Sequence, residues 1–292
     1  MSGTDEAVVV GVDGSASATR AVRFAAREAA SRHRPLLVTH AFTWALVPTV
    51  LGPGLASPGD VGLRTAAQRL VSDAVEVAEK AAPGLVVSGE VRDGAPATVL
   101  LHHARQAHMI VIGDRGLGGF TGLILGSVAV QVSAYAPECP VLVVKGDADR
   151  AGPVVVGVDG SPISERAIAF AFEEAAIRRA ALVAVLAWRY PEPIGPAGDM
   201  LPEIYDQDDL LREEARVLES AVAPWCARYP AVRVTRRLYP GRPSKVLVEE
   251  SHAAQLTVVG GRGRGGFKGL LLGSVSHAVL HHAQSPVAIV HK

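Results

Sequence analysis

Residues 8–15 read VVVGVDGS, and the same eight residues return at 154–161. A second block, GDRGLGGFTGLILGSV at 113–128, returns as GGRGRGGFKGLLLGSV at 260–275. Both blocks appear in the same order and at nearly the same separation. The chain is therefore an internal duplication.

The length of the repeat indicates domains. Solenoid units are only about 20 to 50 residues long and cannot fold alone, whereas each copy here is close to half of the 292 residues. A short polar and charged stretch separates the copies. We predict two tandem domains, at residues 1–147 and 152–292.

Each copy alternates short apolar runs with helical patterns. The run before Asp13 is continuous and ends in turn residues, which is typical of a strand buried on both faces. In the segment that follows, Val22, Ala25, Ala26 and Ala29 recur at helical spacing, and the second copy has apolar residues at the same four places. This alternation predicts an α/β fold whose parallel sheet is covered by helices on both faces.

Composition argues against several classes of function. The 29 basic and 29 acidic residues leave no net charge, so we expect neither nucleic acid nor a membrane surface as a partner. No apolar run approaches the roughly 20 residues needed to span a bilayer, and residues 1–15 do not resemble a signal peptide. Cys139 and Cys226 lack any metal or disulfide spacing. We therefore expect a cytoplasmic protein.

A glycine pattern follows the fourth predicted strand of both copies. It consists of Gly113, Gly116, Gly126 and Ser127 in the first copy and Gly260, Gly263, Gly273 and Ser274 in the second. Glycine lets backbone amides face a ligand with no Cβ in the way, and a helix that begins at Gly-Ser favours an anion. Tight turns need such glycines too. However, the two-residue gap and the nine-residue gap between the glycines are the same in both copies, which favours a phosphate-binding loop.

These motifs resemble the universal stress protein family. The similar features are GVDGS after the first strand and, after the fourth, GxxG followed nine residues later by GS. The resemblance covers nearly the whole chain twice. It implies two Rossmann-like domains of the HUP (adenine nucleotide alpha hydrolase-like) class, each with a five-stranded parallel sheet of order 3-2-1-4-5.

In the ATP-binding branch of the family, the resemblance implies one ATP per domain. Magnesium would be held through the phosphates near Asp13 and Asp159, with no direct protein ligand predicted. The implied nucleotide-binding residues of the first copy are Gly11, Val12, Asp13, Ala41, Ile112, Gly113, Gly116, Gly126, Ser127 and Val128. Those of the second copy are Gly157, Val158, Asp159, Ala187, Val259, Gly260, Gly263, Gly273, Ser274 and Val275.

The residue types at these positions favour binding over catalysis. No repeated carboxylate pair, basic cluster or nucleophile with a base accompanies Asp13 in the sequence. We predict no catalytic residue and a nucleotide-dependent regulator of stress or growth response, compatible with a homodimer or a further protein partner. Two alternatives stay open: a slow ATPase or autophosphorylating enzyme, and an interaction module that holds no nucleotide.

Two other glycine motifs of nucleotide-binding proteins receive little or no support from the sequence. Gly261, Gly263 and Gly266 fit GxGxxG, but they follow the fourth strand and not the first. In the first copy the register that begins with Gly116 and Gly118 ends at Thr121 and not at a glycine. The Walker pattern GxxxxGK[ST] does not occur in the sequence. We therefore expect neither a dinucleotide fingerprint nor a P-loop.

The histidine pairs at 102–103 and 281–282 raise the question of a metal site. Neighbouring residues on a helix point about 100° apart and seldom share an ion. We expect solvated helix faces at both pairs. For Trp44 and Trp188, at or just past the second strand of each copy, we expect local packing.

Overall fold

Two compact units make up the chain, Met1–Ala148 and Asp149–Lys292. The structure is a computed structural model, and it describes residues 6–43, 58–117, 125–136, 139–188, 207–264 and 271–291. Over these ranges no helix is both long and apolar enough to cross a membrane.

The first unit is a parallel sheet with helices on both faces. Its strands are β1 (Val8–Gly11), β2 (Leu36–Phe42), β3 (Val87–Asp93), β4 (Met109–Gly113) and β5 (Val141–Val144). Its helices are α1 (Ala16–Ser31), α2 (Pro58–Ala81), α3 (Pro96–His103) and α4 (Ser127–Tyr135). The strand order is β3-β2-β1-β4-β5, with parallel pairing throughout.

The second unit repeats this plan. Its strands are β6 (Val154–Val158), β7 (Leu182–Trp188), β8 (Val234–Pro240), β9 (Leu256–Gly260) and β10 (Val287–Val290). Its helices are α5 (Pro162–Ile177), α6 (Gln207–Arg228), α7 (Pro243–Glu250) and α8 (Ser274–His282). The order β8-β7-β6-β9-β10 is again parallel. The predicted order 3-2-1-4-5 is confirmed in both copies.

Continuous apolar strands form the core of each unit. Val8, Val9 and Val10 of β1 expose at most 1% of their surface, and the residues of β6 that correspond to them are equally buried. A central parallel strand is covered by helices on both sides, so it shows no alternation of polar and apolar residues.

The predicted apolar stripe of the first helix is confirmed. Val22, Ala25, Ala26 and Ala29 are buried along α1, where they face the sheet. The helix begins after Ser15, whose Oγ accepts a hydrogen bond from the backbone N–H of Ala18 at 3.1 Å. This side-chain cap satisfies one of the otherwise unpaired donors of the first turn.

The strand order fixes where a ligand can lie. The chain leaves β1 toward β2 on one side of the sheet and leaves β4 toward β5 on the other, so the loops after β1 and β4 diverge. Such a point of divergence leaves a crevice at the carboxyl ends of the two strands. The same crevice occurs between β6 and β9.

We expect Leu36→Ala to destabilise the first unit by about 2–5 kcal/mol. Leu36 begins β2 and is fully buried, so the truncated side chain leaves a void in close-packed surroundings. Leu63→Ala on α2 is the control, because Leu63 is 54% exposed. Urea unfolding followed by circular dichroism compares the two variants, and an equal loss in both would contradict the assignment of Leu36 to the core.

Candidate functional site

A cavity of about 470 Å³ opens at the carboxyl ends of the strands in the first unit. The ten positions predicted for the first copy all line it. They are Gly11, Val12, Asp13, Ala41, Ile112, Gly113, Gly116, Gly126, Ser127 and Val128. Folding therefore brings together residues from β1, β2, β4 and the start of α4.

The second unit has a corresponding cavity of about 760 Å³. The ten positions predicted for the second copy all line this one. They are Gly157, Val158, Asp159, Ala187, Val259, Gly260, Gly263, Gly273, Ser274 and Val275. The duplicated motifs thus form two cavities at the same place in the fold.

The carboxylate of Asp13 joins the loop after β1 to the glycine loop after β4. Its Oδ1 accepts a hydrogen bond from the backbone N–H of Ser15 at 3.0 Å, and its Oδ2 accepts one from the backbone N–H of Leu117 at 2.8 Å. Hydrogen bonds to a charged group contribute about 1.5–3 kcal/mol each. Asp13 therefore holds two walls of the cavity together, a role that sequence reasoning did not assign.

The carboxylate of Asp159 makes the same connection in the second unit. Its Oδ1 accepts from the backbone N–H of Ser161 at 2.8 Å, and its Oδ2 accepts from the backbone N–H of Arg264 at 3.0 Å. The aspartate, the serine donor and the position of the second backbone donor are common to both units. The residue that carries this second donor is Leu117 in the first unit and Arg264 in the second.

The second glycine of each loop is required by this carboxylate. A Cβ added to Gly116 would overlap Oδ2 of Asp13, and one added to Gly263 would overlap Oδ2 of Asp159. The first glycine of the loop is needed for a different reason. A Cβ at Gly113 would overlap Ser17 of α1, so this glycine lets the end of β4 pack against that helix.

The last glycine of each loop begins a helix that faces the cavity. Gly126 is the N-cap of α4, with extended backbone and no side-chain hydrogen bond to the first turn, and Gly273 has the same role for α8. The first N–H groups of an α-helix have no acceptor within the helix. Ser127 and Val128 present theirs along the cavity wall. Both cavities therefore include the positive end of a helix dipole, which favours an anion.

The wall opposite the glycine loop comes from α3 and α7, which sequence reasoning missed. Leu100 of α3 packs over Gly11, where a Cβ would stand 3.1 Å from its methyl carbons. Leu247 of α7 packs over Gly157 in the same way. The stretches DGAPATVL at 93–100 and PGRPSKVL were visible as a repeat. Their sequence alone does not indicate that they reach the ends of the strands.

The two cavities differ in their charged lining. Among the residues that the structure describes, the first is lined by two charged side chains, Asp13 and Arg115. The second is lined by four, which are Asp159, Glu214, Arg262 and Arg264. Nη1 of Arg264 lies 3.9 Å from Oε2 of Glu214 on α6. The first unit has Leu117 in place of Arg264, and Leu117 lies with Leu70 beside Gly14.

The prediction of solvated histidine faces is wrong for His103. This side chain is only 6% exposed, and its Nε2 lies 2.7 Å from Oε1 of Glu90 on β3. Burial lowers the pKa of His103, and the charge and hydrogen bond of Glu90 oppose that shift. The cause is tertiary, because the last turn of α3 faces β3. His102 and His282 are exposed, as expected.

Two further expectations concern metals and tryptophans. Within the part of the chain that is described, no group of three histidine, cysteine, aspartate or glutamate side chains could hold a metal ion. Trp188 is buried, as local packing predicts, and it also lines the second cavity. Trp44, Thr121 and Gly266 lie outside the described residues.

Comparison with known proteins gives consistent matches over the full chain. The model of the universal stress protein family matches residues 6–145 and again 151–291. A universal stress protein from Mycolicibacterium smegmatis is 38% identical over 300 residues, covering 99% of this chain and 98% of its own length. One from Mycobacterium tuberculosis is 37% identical over 292 residues, covering 97% of this chain and 96% of its own.

A solved structure agrees on the fold. A universal stress protein from Archaeoglobus fulgidus matches with a TM-score of 0.68 at 19% identity, covering 99% of this chain and 97% of that one. At this identity the likeness concerns architecture alone. The family model and the sequence relatives go further, and they show that the chain belongs to the universal stress protein family.

Proposed function

We propose that each unit binds one ATP and that the chain acts as a nucleotide-dependent regulator of stress or growth response. The observation that carries this proposal is the pairing, in both cavities, of a helix N-terminus with a glycine loop tied down by an aspartate. Such a site offers many backbone donors to an anion and few side chains able to react with it.

The phosphate end of the ligand would lie against the glycine loop. There the backbone of Gly126, Ser127 and Val128 turns into α4 along the cavity wall. Backbone N–H groups and the helix dipole favour negative charge without the reorganisation that long side chains need. The second unit offers the same arrangement at α8.

The adenine end would lie in the apolar part of the cavity. Ala41, Val99, Leu100 and Ile112 line that part of the first cavity. The volumes of both cavities fall in the range of roughly 300–1,000 Å³ that is usual for small-molecule sites. An apolar slot beside a donor-rich loop fits a flat base joined to phosphates.

Magnesium would accompany the phosphates. Each oxygen of Asp13 and Asp159 accepts one described backbone hydrogen bond, and a carboxylate oxygen has a second lone pair. Magnesium in nucleotide sites is usually held by one or two carboxylates together with phosphate oxygens and water. The residues present therefore fit Mg-ATP, with one carboxylate in each unit.

Little turnover is expected because neither cavity offers an evident acid or base. Among the described lining residues there is no histidine, cysteine, lysine or tyrosine. The lining carboxylates at 13 and 159 already accept hydrogen bonds from the backbone. The remaining lining carboxylate, Glu214, lies 3.9 Å from the guanidinium of Arg264. Binding, and not hydrolysis, is the proposed activity.

A cytoplasmic location and a homodimer or other protein partner belong to the same proposal. Neither Cys139 nor Cys226 forms a disulfide, which suits a reducing compartment. A regulator also needs a partner that distinguishes its occupied from its empty state.

We expect the number of nucleotides bound per chain to depend on Gly116 and Gly263, the second glycine of each loop. The purified chain should bind about two ATP molecules. The Gly116→Ala and Gly263→Ala variants should each bind about one, and the double variant should bind none. Each new methyl group displaces the aspartate that positions the loop. Calorimetric titration with Mg-ATP measures the number of sites.

The matched control is Gly62→Ala. Gly62 lies in α2 with open space where its Cβ would be, so this variant should retain both sites. Wild-type stoichiometry in the double variant would show that the glycine loops do not hold the nucleotide. Absence of binding to the parent chain would overturn the proposed function itself.

Phosphate release should stay at background. With saturating Mg-ATP, we expect the parent chain to release phosphate no faster than the double variant Gly116→Ala and Gly263→Ala, because the lining lacks a general base. A malachite-green assay over several hours measures this. Release well above that of the double variant would favour the slow ATPase instead.

A further inference from the structure

One pair of charged side chains distinguishes the described lining of the second cavity from that of the first. Arg115 and Arg262 occupy corresponding positions in the two glycine loops, so they are common to both cavities. Arg264 and Glu214 belong to the lining of the second cavity. At the position of Arg264 the first unit has Leu117. The second cavity therefore has an additional arginine where the first unit has an apolar side chain.

Arg264 is fixed beside the aspartate of the second cavity. Its backbone N–H donates to Oδ2 of Asp159 at 3.0 Å, and Gly263, the residue before it, lines the cavity. Its guanidinium lies over Gly160, where an added Cβ would overlap Nη2 of Arg264. Gly160 also has a φ of +74°, which favours glycine. The positive group is therefore packed on the turn that begins with Asp159.

The guanidinium of Arg264 keeps its hydrogen-bond donors available. Its Nη1 lies 3.9 Å from Oε2 of Glu214, a distance too long for a hydrogen bond. Within the part of the chain that the structure describes, the only hydrogen bond of Arg264 comes from its backbone N–H. Arginine carries five N–H donors in a planar fork that matches phosphate oxygens. The side chain is 49% exposed, so a ligand that enters the cavity can reach it.

The arginine lies across the cavity from the apolar wall. Glu214 belongs to α6, which packs with α5, whereas Leu247 belongs to α7, which packs with α8 on the other face of the sheet. With adenine against the apolar wall, the phosphates would extend along the glycine loop. The first phosphate would meet the loop and the helix start in both units. Each further phosphate would lie nearer to Arg264.

We propose that Arg264 makes the second site select nucleotides by the number of their phosphates. This inference rests on the proposed function and gives one of its two sites a ligand preference. The second site favours ATP over AMP more strongly than the first site does, because the outer phosphates of ATP reach the guanidinium and the single phosphate of AMP does not. Arginine and phosphate oxygens form strong, charge-assisted hydrogen bonds. Leu117 offers no such donor in the first unit.

The affinities of each site for Mg-ATP and for AMP test the proposal. The second site is measured in the Gly116→Ala chain and the first in the Gly263→Ala chain, by calorimetric titration in one magnesium buffer. The ratio of the AMP to the ATP dissociation constant should be about fivefold larger at the second site, which is the effect of one exposed ion pair. Because the same two ligands are compared at both sites, the charge that magnesium neutralises does not affect the comparison.

Arg264→Leu introduces the residue of the first unit and retains the backbone N–H that donates to Asp159. In the Gly116→Ala chain it should weaken ATP binding about fivefold and leave AMP binding nearly unchanged. Arg264→Lys keeps the positive charge without the planar fork and should retain part of the preference. Equal losses of ATP and AMP binding in Arg264→Leu would mean that the side chain only shapes the site, and would overturn the proposal.

The matched control is Arg212→Leu. Arg212 lies on the same helix as Glu214, is exposed, forms an ion pair with Asp209 and lines neither cavity. This variant should leave the affinities for both ligands unchanged. A change in the ATP preference as large as that of Arg264→Leu would show that overall charge, and not contact with the phosphates, is responsible, and would contradict the proposal.

Ionic strength provides a second measurement. Because Arg264 is half exposed, the difference in preference between the two sites should shrink when salt is raised from about 50 to 500 mM. Equal preferences of the two sites at low salt would overturn the inference and leave the proposed function standing. Failure of both chains to bind any nucleotide would overturn the proposed function, and this inference with it.

Discussion

In each unit one carboxylate accepts backbone hydrogen bonds from two loops that leave neighbouring strands. Asp13 binds the amides of Ser15 and Leu117, which are about a hundred residues apart in the chain. The absence of a Cβ at Gly116 leaves room for the carboxylate that accepts the bond from Leu117. A backbone hydrogen bond from the N–H of Gly126 to the carbonyl of Asp114 at 2.8 Å also holds the glycine loop beside the start of α4.

This constraint explains which parts of the duplication stayed the same. The aspartate, the second glycine and the Gly-Ser helix start recur, because each depends on the others for space or for a hydrogen bond. Contacts farther from the loop were free to change chemistry while keeping the geometry. Arg264, which pairs with Glu214, stands where the first unit has the apolar Leu117. The Glu90–His103 contact became Arg237 with Glu250.

Such exchanges give two cavities of one design with different side chains around them. A surface ion pair such as that of Arg264 contributes at most about 1 kcal/mol and weakens with salt. Neither exchange alters the backbone donors that would meet a phosphate. The two cavities therefore share the backbone that surrounds them and differ in the side chains beyond it.

The sequence by itself indicated the two-domain organisation, the alternation of strands and helices and the glycine loops, because these depend on local periodicity, on turn residues and on a repeat that can be compared with itself. The order of strands and the full set of twenty positions that line the cavities were implied by the resemblance of these motifs to a known family. Only the tertiary structure decided that Asp13 joins two loops, that α3 and α7 form the opposite wall and that His103 is buried. The physical reason is that these features are contacts between segments far apart in the chain. The sequence around a residue does not indicate which atom from a distant segment will pack against it.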